Sequence, residues 1–388
     1  MRGGPWPRQT TSDKEVARSL PGTYEIRDDV VWPTDLSLPT RPPKLVYLDM
    51  LGWINLAEVA VGNAPAGYDR LLKSCRKARA EGRAHFPLSS THLLEVYNIA
   101  SVDRRRARAA VMEELSDFSY LMGRPQLQQL EVESALNQIP GVNIPPQGPF
   151  ALLGPSVWWA FGKEGNLVTN GPDPVGAAKH VCQAMGIALG DDAVVSLSRW
   201  CERQLLTGPD DHEAPELVSI GYTIDTWRDI LQKRADQENY LVQQLDADPH
   251  WRKGRLRDVI SARELEIELG DVVASATAAM KTSIGKLLDY DRKKLRDFTD
   301  RMPTTRVAVS VKEYFHYDNQ HKWASNDMND IDAIAIAVPY CDAVFTDRRT
   351  RTAVASRRDL DFFGTCLPSG PEELADWLDG LPAPAADT

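Results

Sequence analysis

The sequence predicts an α/β protein in which a parallel sheet flanked by helices is interrupted by an inserted all-α domain. Short apolar runs alternate with helical stretches near both ends of the chain, which favours parallel strands joined by right-handed crossovers. The middle of the chain is almost wholly helical in pattern. The predicted units are an N-terminal arm, a first α/β part, a helical insertion and a second α/β part, at 1–43, 44–122, 123–301 and 302–388.

Length and composition suit this organisation. The chain has 388 residues, more than the ~100–200 of a typical single domain, and 43% of them are hydrophobic, enough for a sizeable core. The net charge of −10 does not favour a protein that coats nucleic acid non-specifically. It leaves open a compact acidic site that binds a cation.

The compartment is predicted from what the sequence lacks. No apolar run reaches the ~18 residues of a membrane span, and the N-terminus has no apolar segment of a secretory signal. The 5 cysteines are dispersed without a C-x-x-C pair. We therefore expect reduced thiols, a cytoplasmic location and no membrane partner.

The first α/β part begins after a proline-rich arm, which Trp6 and Trp32 are expected to pin to the body. An apolar strand at 44–48 ends in Asp49, and a helix over 51–58 follows. A helix over 68–83 and a strand near 85–88 come next. Ser89, Ser90 and Thr91 then form a helix-cap cluster, and the helix they start carries Glu95 about one turn in. Asp103 is expected to cap a helix that runs through Met122.

The insertion contains a Pro/Gly-rich loop over 140–155 and continues as helices. These are predicted over 174–188, 191–206, 222–245 and, with breaks, 255–301. The insertion falls between the second and third acidic residues singled out below. It is either a cap over a site or a module for packing or dimerisation, so a homo-oligomer stays open.

The second α/β part contains a helix and a strand that each carry acids. Residues 305–311 are assigned to a strand, with helix as the alternative from Ser310. Asn329 or Asp330 is expected to cap a helix that Pro339 ends, and 342–346 is a short buried strand followed by Asp347. An arginine-rich helix to about 358, an edge strand over 362–367 and a last helix from 371 complete the chain.

Four acids occupy tips of these elements, where open α/β sheets bind ligands. They are Asp49 in YLDMLGWINLA, Glu95 in SSTHLLEVYN, Asp330 in NDIDAIAIAV and Asp347 in AVFTD. This ordered set resembles the PIN-domain nuclease family. Asp332 is the alternative to Asp330. It matches the family's local "DA" letters better but lies too close to Thr346, and the two side chains point nearly opposite ways on a helix.

The resemblance implies a metal-dependent endoribonuclease. Carboxylates favour Mg²⁺ or Mn²⁺ over zinc, and such ions activate water and neutralise phosphate. All four acids are catalytic and metal-binding candidates, with Asp49 and Asp347 as direct ligands and Thr346 orienting Asp347. The favoured substrate is single-stranded RNA, with DNA open as the alternative, and the resemblance implies products with a 5′-phosphate and a 3′-hydroxyl.

Other side chains have two interpretations. Arg104, Arg105, Arg106 and Arg108, and the arginines at 348, 349, 351, 357 and 358, follow the acidic elements and either hold phosphates or lie on solvated faces. Trp53, Trp158 and Trp159 either stack on bases or belong to the core.

Rival functions differ in what they require of the first strand. A HAD-like phosphatase needs an Asp two residues after Asp49, where this chain has Leu51. A dinucleotide-binding enzyme needs a glycine-rich turn there. The remaining alternative is an inactive PIN-like module whose helical insertion binds another protein. A module of that kind has no need to hold four like charges together.

Overall fold

The computed structural model describes residues 30–39, 43–164, 173–188, 190, 192–210, 225–278 and 280–384. The fold is mixed α/β, about 63% helical, with a few short parallel strands. Most of the arm, including Trp6, lies outside the described residues. Within them, every helix is too short or too polar to cross a membrane.

The strands form one central parallel arrangement and two small additions. They are β1 (Leu36–Ser37), β2 (Lys44–Leu48), β3 (Ala84–His85), β4 (Tyr120–Leu121), β5 (Phe150–Ala151), β6 (Leu153–Gly154) and β7 (Ala343–Phe345). β2 lies between β3 and β7, parallel to both. Parallel bridges from Leu88 to Tyr120 and from Ala343 to Cys366 extend the sheet on either side. All these segments therefore end at one edge.

The helices alternate with the strands at both ends of the chain and fill its middle. They are α1 (Met50–Val59), α2 (Tyr68–Ala80), α3 (Ser90–Tyr97), α4 (Val102–Ser116), α5 (Arg124–Leu136), α6 (Val157–Ala160), α7 (Pro174–Ala184), α8 (Ala193–Thr207), α9 (Asp225–Ala247), α10 (Leu256–Arg263), α11 (Gly270–Ala278), α12 (Ile284–Leu287), α13 (Arg292–Arg301), α14 (Pro303–Tyr317), α15 (Ser325–Tyr340), α16 (Arg348–Ala355) and α17 (Pro371–Asp379). A π-helical turn, Glu264–Glu268, continues α10, and 3₁₀ turns occupy Pro249–Arg252 and Arg358–Phe363.

The apolar run of β2 is explained by burial on both faces of the sheet. Leu45 and Tyr47 pack into a cluster with α5, α14 and α15. Val46 and Leu48 point the other way, into a cluster with α1, α2, α4 and α17. A strand covered on both faces has no polar side, which is why its sequence shows no alternation.

Residues of the predicted insertion share a core with the sheet. Leu127 of α5 and Leu231 of α9 belong to the same apolar cluster as Val344 of β7. Two smaller clusters lie mainly among the helices of the insertion, and one of them also includes Val309 of α14. The arm contributes as well, because Trp32 packs edge-on against Tyr340, with ring centroids 5.5 Å apart.

Several predicted elements are wrong in detail. The segment 305–311 is helical throughout, inside α14, which begins with a proline at its first position. Its valines alternate as in a strand, but Val307, Val309 and Val311 are all buried because α14 is packed on several sides. The helix expected to reach Met122 begins at a Ser101 cap and ends at Ser116.

The C-terminal part contains two more corrections. The segment 362–367 is not an edge strand, because Arg358–Phe363 is a 3₁₀ turn and Cys366 alone pairs with the sheet. α15 begins at Ser325, four residues before Asn329, because Asp327 accepts a hydrogen bond from the Ala324 N–H at 2.8 Å. Pro339 lies inside the last turn of α15 instead of ending it.

Candidate functional site

Asp49 and Asp347 follow neighbouring parallel strands and cap the helices that come next. The Asp49 Oδ1 accepts the Met50 N–H at 2.6 Å, and the Asp347 Oδ1 accepts the Arg349 N–H at 2.7 Å. The Asp49 N–H continues the ladder by donating to the Phe345 carbonyl at 2.8 Å. Chain order reverses between β2 and β7, since β3 follows β2 on one side and β7 pairs on the other. A crevice at such a switch point is where open α/β sheets bind ligands.

Thr346 orients Asp49, whereas the sequence suggested that it would orient Asp347. Its Oγ1 donates to the Asp49 Oδ2 at 2.9 Å. The backbone N–H of Asp347 is also directed at the Asp49 carboxylate. Both oxygens of Asp49 are therefore fixed by neighbours at the ends of β2 and β7.

His92 fixes the start of the helix that carries Glu95. Its Nδ1 accepts the Ser89 N–H at 3.0 Å, so the ring proton is on Nε2, which donates to the Leu48 carbonyl at 2.8 Å. Burial lowers the pKa of His92 to about 4, which keeps the ring neutral. Sequence analysis missed this residue, although its position three after the Ser89 cap is that of a capping-box partner.

Asn329 joins α3 to α15 across the crevice. Its Nδ2 donates to the Glu95 Oε1 at 2.5 Å. Asp330, the next residue, acts electrostatically on Glu95, and Asp49 and Asp347 both act on Asp330. The structure thus brings the four sequence-predicted acids into one electrostatic cluster.

Asp332 belongs to a different environment. It accepts hydrogen bonds from both terminal nitrogens of Arg234, at 2.6 and 2.8 Å, and it also contacts Arg124. Burial alone would raise the pKa of Asp332, but the two arginines outweigh it and hold that pKa below its usual range. Asp330 and Asp332 are two residues apart on α15, but Asp330 faces the other acids and Asp332 faces two arginines.

Three of the clustered acids, Asp49, Glu95 and Asp330, have raised pKa values. Burial, and then the charges of Asp49 and Asp330, raise the pKa of Glu95 to about 8. Burial, and then the charges of Asp49, Asp347 and Asp327, raise the pKa of Asp330 to about 8, with Arg349 opposing the shift. Burial likewise raises the pKa of Asp49. The charge at this site is therefore only partly compensated by the protein.

No family model, curated protein or solved structure matches this chain. Its function therefore has to be inferred from the chemistry of the site.

The donor chemistry of the cluster fits a hard divalent cation. Its side chains offer carboxylate oxygens, the ligands preferred by Mg²⁺ and Mn²⁺. No described residue donates a hydrogen bond to the Asp330 side chain, and the Asn329 Oδ1 is buried without a partner. Across the described ranges, however, no three His, Cys, Asp or Glu side chains already stand at metal-ligand spacing. Binding a cation would therefore require these side chains to move closer together.

The two predicted basic patches differ in their relation to the site. Arg105 is buried and donates to backbone carbonyls, including that of Thr207 at 3.0 Å, so it is structural. Arg106 pairs with Asp210 at 2.9 Å. Arg348 and Arg349, by contrast, are exposed directly after Asp347. Arg349 lies 3.1 Å from the Asp327 carboxylate.

The tryptophans named as stacking candidates are mostly core residues. Trp53, on the inner face of α1, is fully buried, which excludes contact with a base. Trp159 is partly buried and packs against the apolar cluster that contains Val344. Trp158 is 38% exposed on α6 and is the one of the three with an accessible ring.

Proton competition makes cation binding pH-dependent. Since the pKa values of Glu95 and Asp330 are raised to about 8, both acids are largely protonated at pH 6 in the metal-free protein. We expect Mn²⁺ affinity to rise steadily from pH 6 to 8 and binding to release protons. Calorimetric titration at pH 6, 7 and 8, in buffers of different ionisation enthalpy, measures both quantities. Affinity that does not change with pH would contradict the protonation states assigned here.

Proposed function

We propose that this protein is a metal-dependent nuclease of PIN-like fold, acting as an endoribonuclease on single-stranded RNA. The observation that carries the proposal is the convergence of Asp49, Glu95, Asp330 and Asp347 at the carboxyl edge of a parallel sheet. The order of the paired segments, Tyr120, Leu88, β2, β7 and Cys366, supports the PIN-like assignment. In this proposal the helical insertion of residues 123–301 joins two parts of one α/β domain.

The side chains of the site would have different roles in cation and substrate binding. Asp49 and Asp347 would bind the cation directly, held by Thr346 and by the first turn of α16. Glu95 and Asp330 would complete the site from α3 and α15. When bound, Mg²⁺ or Mn²⁺ would supply water activation and neutralise charge on the phosphate. Arg348 and Arg349 lie where they would contact phosphates beside the scissile bond, which fixes the register of the substrate strand.

An inactive binding module predicts a different electrostatic arrangement. A scaffold gains nothing from placing Asp49, Glu95 and Asp330 where burial and neighbouring charges raise their pKa values, because each such group destabilises the fold at neutral pH. The ion pairs around Asp332 show that this same helix also holds a carboxylate fully compensated by arginine. The uncompensated cluster therefore favours a cation-binding enzyme.

A substrate panel tests the activity. Labelled single-stranded and duplex RNA and DNA are incubated with the protein and Mn²⁺ or Mg²⁺. We expect cleavage of single-stranded RNA that leaves a 5′-phosphate and is lost on chelation. The variant Asp347→Asn should be inactive, while Asp361→Asn, at an exposed acid outside the cluster, should match the wild type. Equal cleavage by Asp347→Asn would assign the activity to a contaminant, and no cleavage of any substrate would overturn the proposal.

A further inference from the structure

Asn329 carries a buried oxygen that the protein leaves without a hydrogen bond. The residue is 6% exposed, in the second turn of α15. Its Nδ2 donates to Glu95, which sets the orientation of the amide. Its Oδ1 then has no donor among the described residues.

This arrangement destabilises the fold unless another group binds the Asn329 Oδ1. A buried polar atom without a partner costs ~1–3 kcal/mol, and native structures rarely retain one. Once Glu95 and Asp330 have lost their protons, as cation binding requires, their oxygens can only accept hydrogen bonds. In that ionised state the partner of the Asn329 Oδ1 comes from outside the chain, as a cation or as the water bound to it.

We propose that the Asn329 Oδ1 is a fifth, uncharged oxygen donor of the divalent-cation site, an inference that rests on the proposed function. Asn carbonyls are regular ligands of hard cations, either directly or through water. A neutral donor adds a ligand without adding to the repulsion among four acids. The same amide positions Glu95 through its N–H, so Asn329 links the donor set on α15 to the one on α3.

Metal binding, measured without any turnover, tests this role. Mn²⁺ affinity is measured by electron paramagnetic resonance of the free ion at pH 8. We expect Asn329→Leu, which keeps the branched shape and removes both polar atoms, to weaken Mn²⁺ binding ~10–100-fold. The matched control is Asn239→Leu. Asn239 donates to the Trp323 carbonyl at 2.9 Å and accepts its N–H at 3.0 Å, so its amide is fully used inside the fold. That variant should lose stability and keep its Mn²⁺ affinity.

A second variant distinguishes a role of Asn329 as an oxygen donor to the cation from a role in which its amide only holds Glu95. Asn329→Asp keeps an oxygen in the Oδ1 position and removes the N–H that holds Glu95. If Oδ1 serves the cation, this variant binds Mn²⁺ at least as tightly as the wild type. Weak binding by Asn329→Asp, or unchanged binding by Asn329→Leu, would reduce Asn329 to a tether while the nuclease proposal stands. A wild type that binds no Mn²⁺ would overturn both.

Discussion

Replacing Asp330 with Asn is expected to lower the rate of RNA cleavage by more than ~100-fold. Mutating even a residue that only supports a metal ligand lowers metal affinity or activity ~10–100-fold. The same change is expected to stabilise the metal-free protein. Asp330 is the acid on which Asp49, Asp347 and Asp327 all act, and no described residue donates a hydrogen bond to it. Removing its charge relieves that repulsion and also removes a cation ligand.

The direction of the stability change follows from where the proton is held. The pKa of Asp330 is raised to about 8 in the folded protein, while in the unfolded chain it lies near ~3.9. Stability contributed by this group is complete below ~pH 4 and is lost as pH rises through about 8. At ~1.4 kcal/mol per pKa unit, Asp330→Asn should raise the free energy of unfolding at pH 8 by at least ~1 kcal/mol.

Denaturant unfolding at pH 5 and pH 8, with and without Mn²⁺, checks this prediction. The gain from Asp330→Asn should be larger at pH 8 than at pH 5, and added Mn²⁺ should stabilise the wild type but not the variant. Asp361→Asn should behave as the wild type throughout. An Asp330→Asn protein that still cleaves RNA at the wild-type rate would remove Asp330 from the site.

The sequence was most informative where an acid follows a strand. The run 44–48 and the acid after it need only local information, because a strand buried on both faces is continuously apolar and its end is marked by polarity. The same holds for β7 and Asp347. Choosing Asp330 over Asp332 needed one more step, the spacing to Thr346, and the structure separates the two residues as the helical angle between them requires.

Long-range partners were not predictable in the same way. Nothing local distinguishes Arg124 or Arg234 from a solvated arginine, and their contacts with Asp332 span 208 and 98 residues. The helix α14 was assigned partly to a strand because its valines alternate, whereas its burial comes from several packed neighbours. Asn329 looked like a cap, but the helix begins four residues earlier, at Ser325, after a tight turn that Asp327 closes.

Replacing Arg234 with Ala is expected to cost ~3–5 kcal/mol of stability, the usual effect of breaking a buried ion pair from one side. Arg234 holds Asp332 with two hydrogen bonds and Glu268 with a third at 2.9 Å. Its side chain is only 13% exposed. Without it, Asp332 keeps Arg124 alone, which Glu264 also uses at 3.0 Å. The free energy of unfolding from denaturant titration measures the loss.

The matched control is Arg199→Ala, since Arg199 also bridges two carboxylates but is 41% exposed. Exposed pairs contribute ~0–1 kcal/mol, so a loss from Arg234→Ala that is no larger than this would show that the network does not hold the fold.

The large loss has a functional consequence, because Asp332 lies two residues beyond Asp330 on α15. Arg234 comes from α9 and Arg124 from α5, both within the predicted insertion, so these helices fix the helix that supplies the third acid. If folded Arg234→Ala binds Mn²⁺ more weakly than Arg199→Ala does, the insertion has a role in positioning Asp330. Neither a cap over the site nor a separate dimerisation module would require that role.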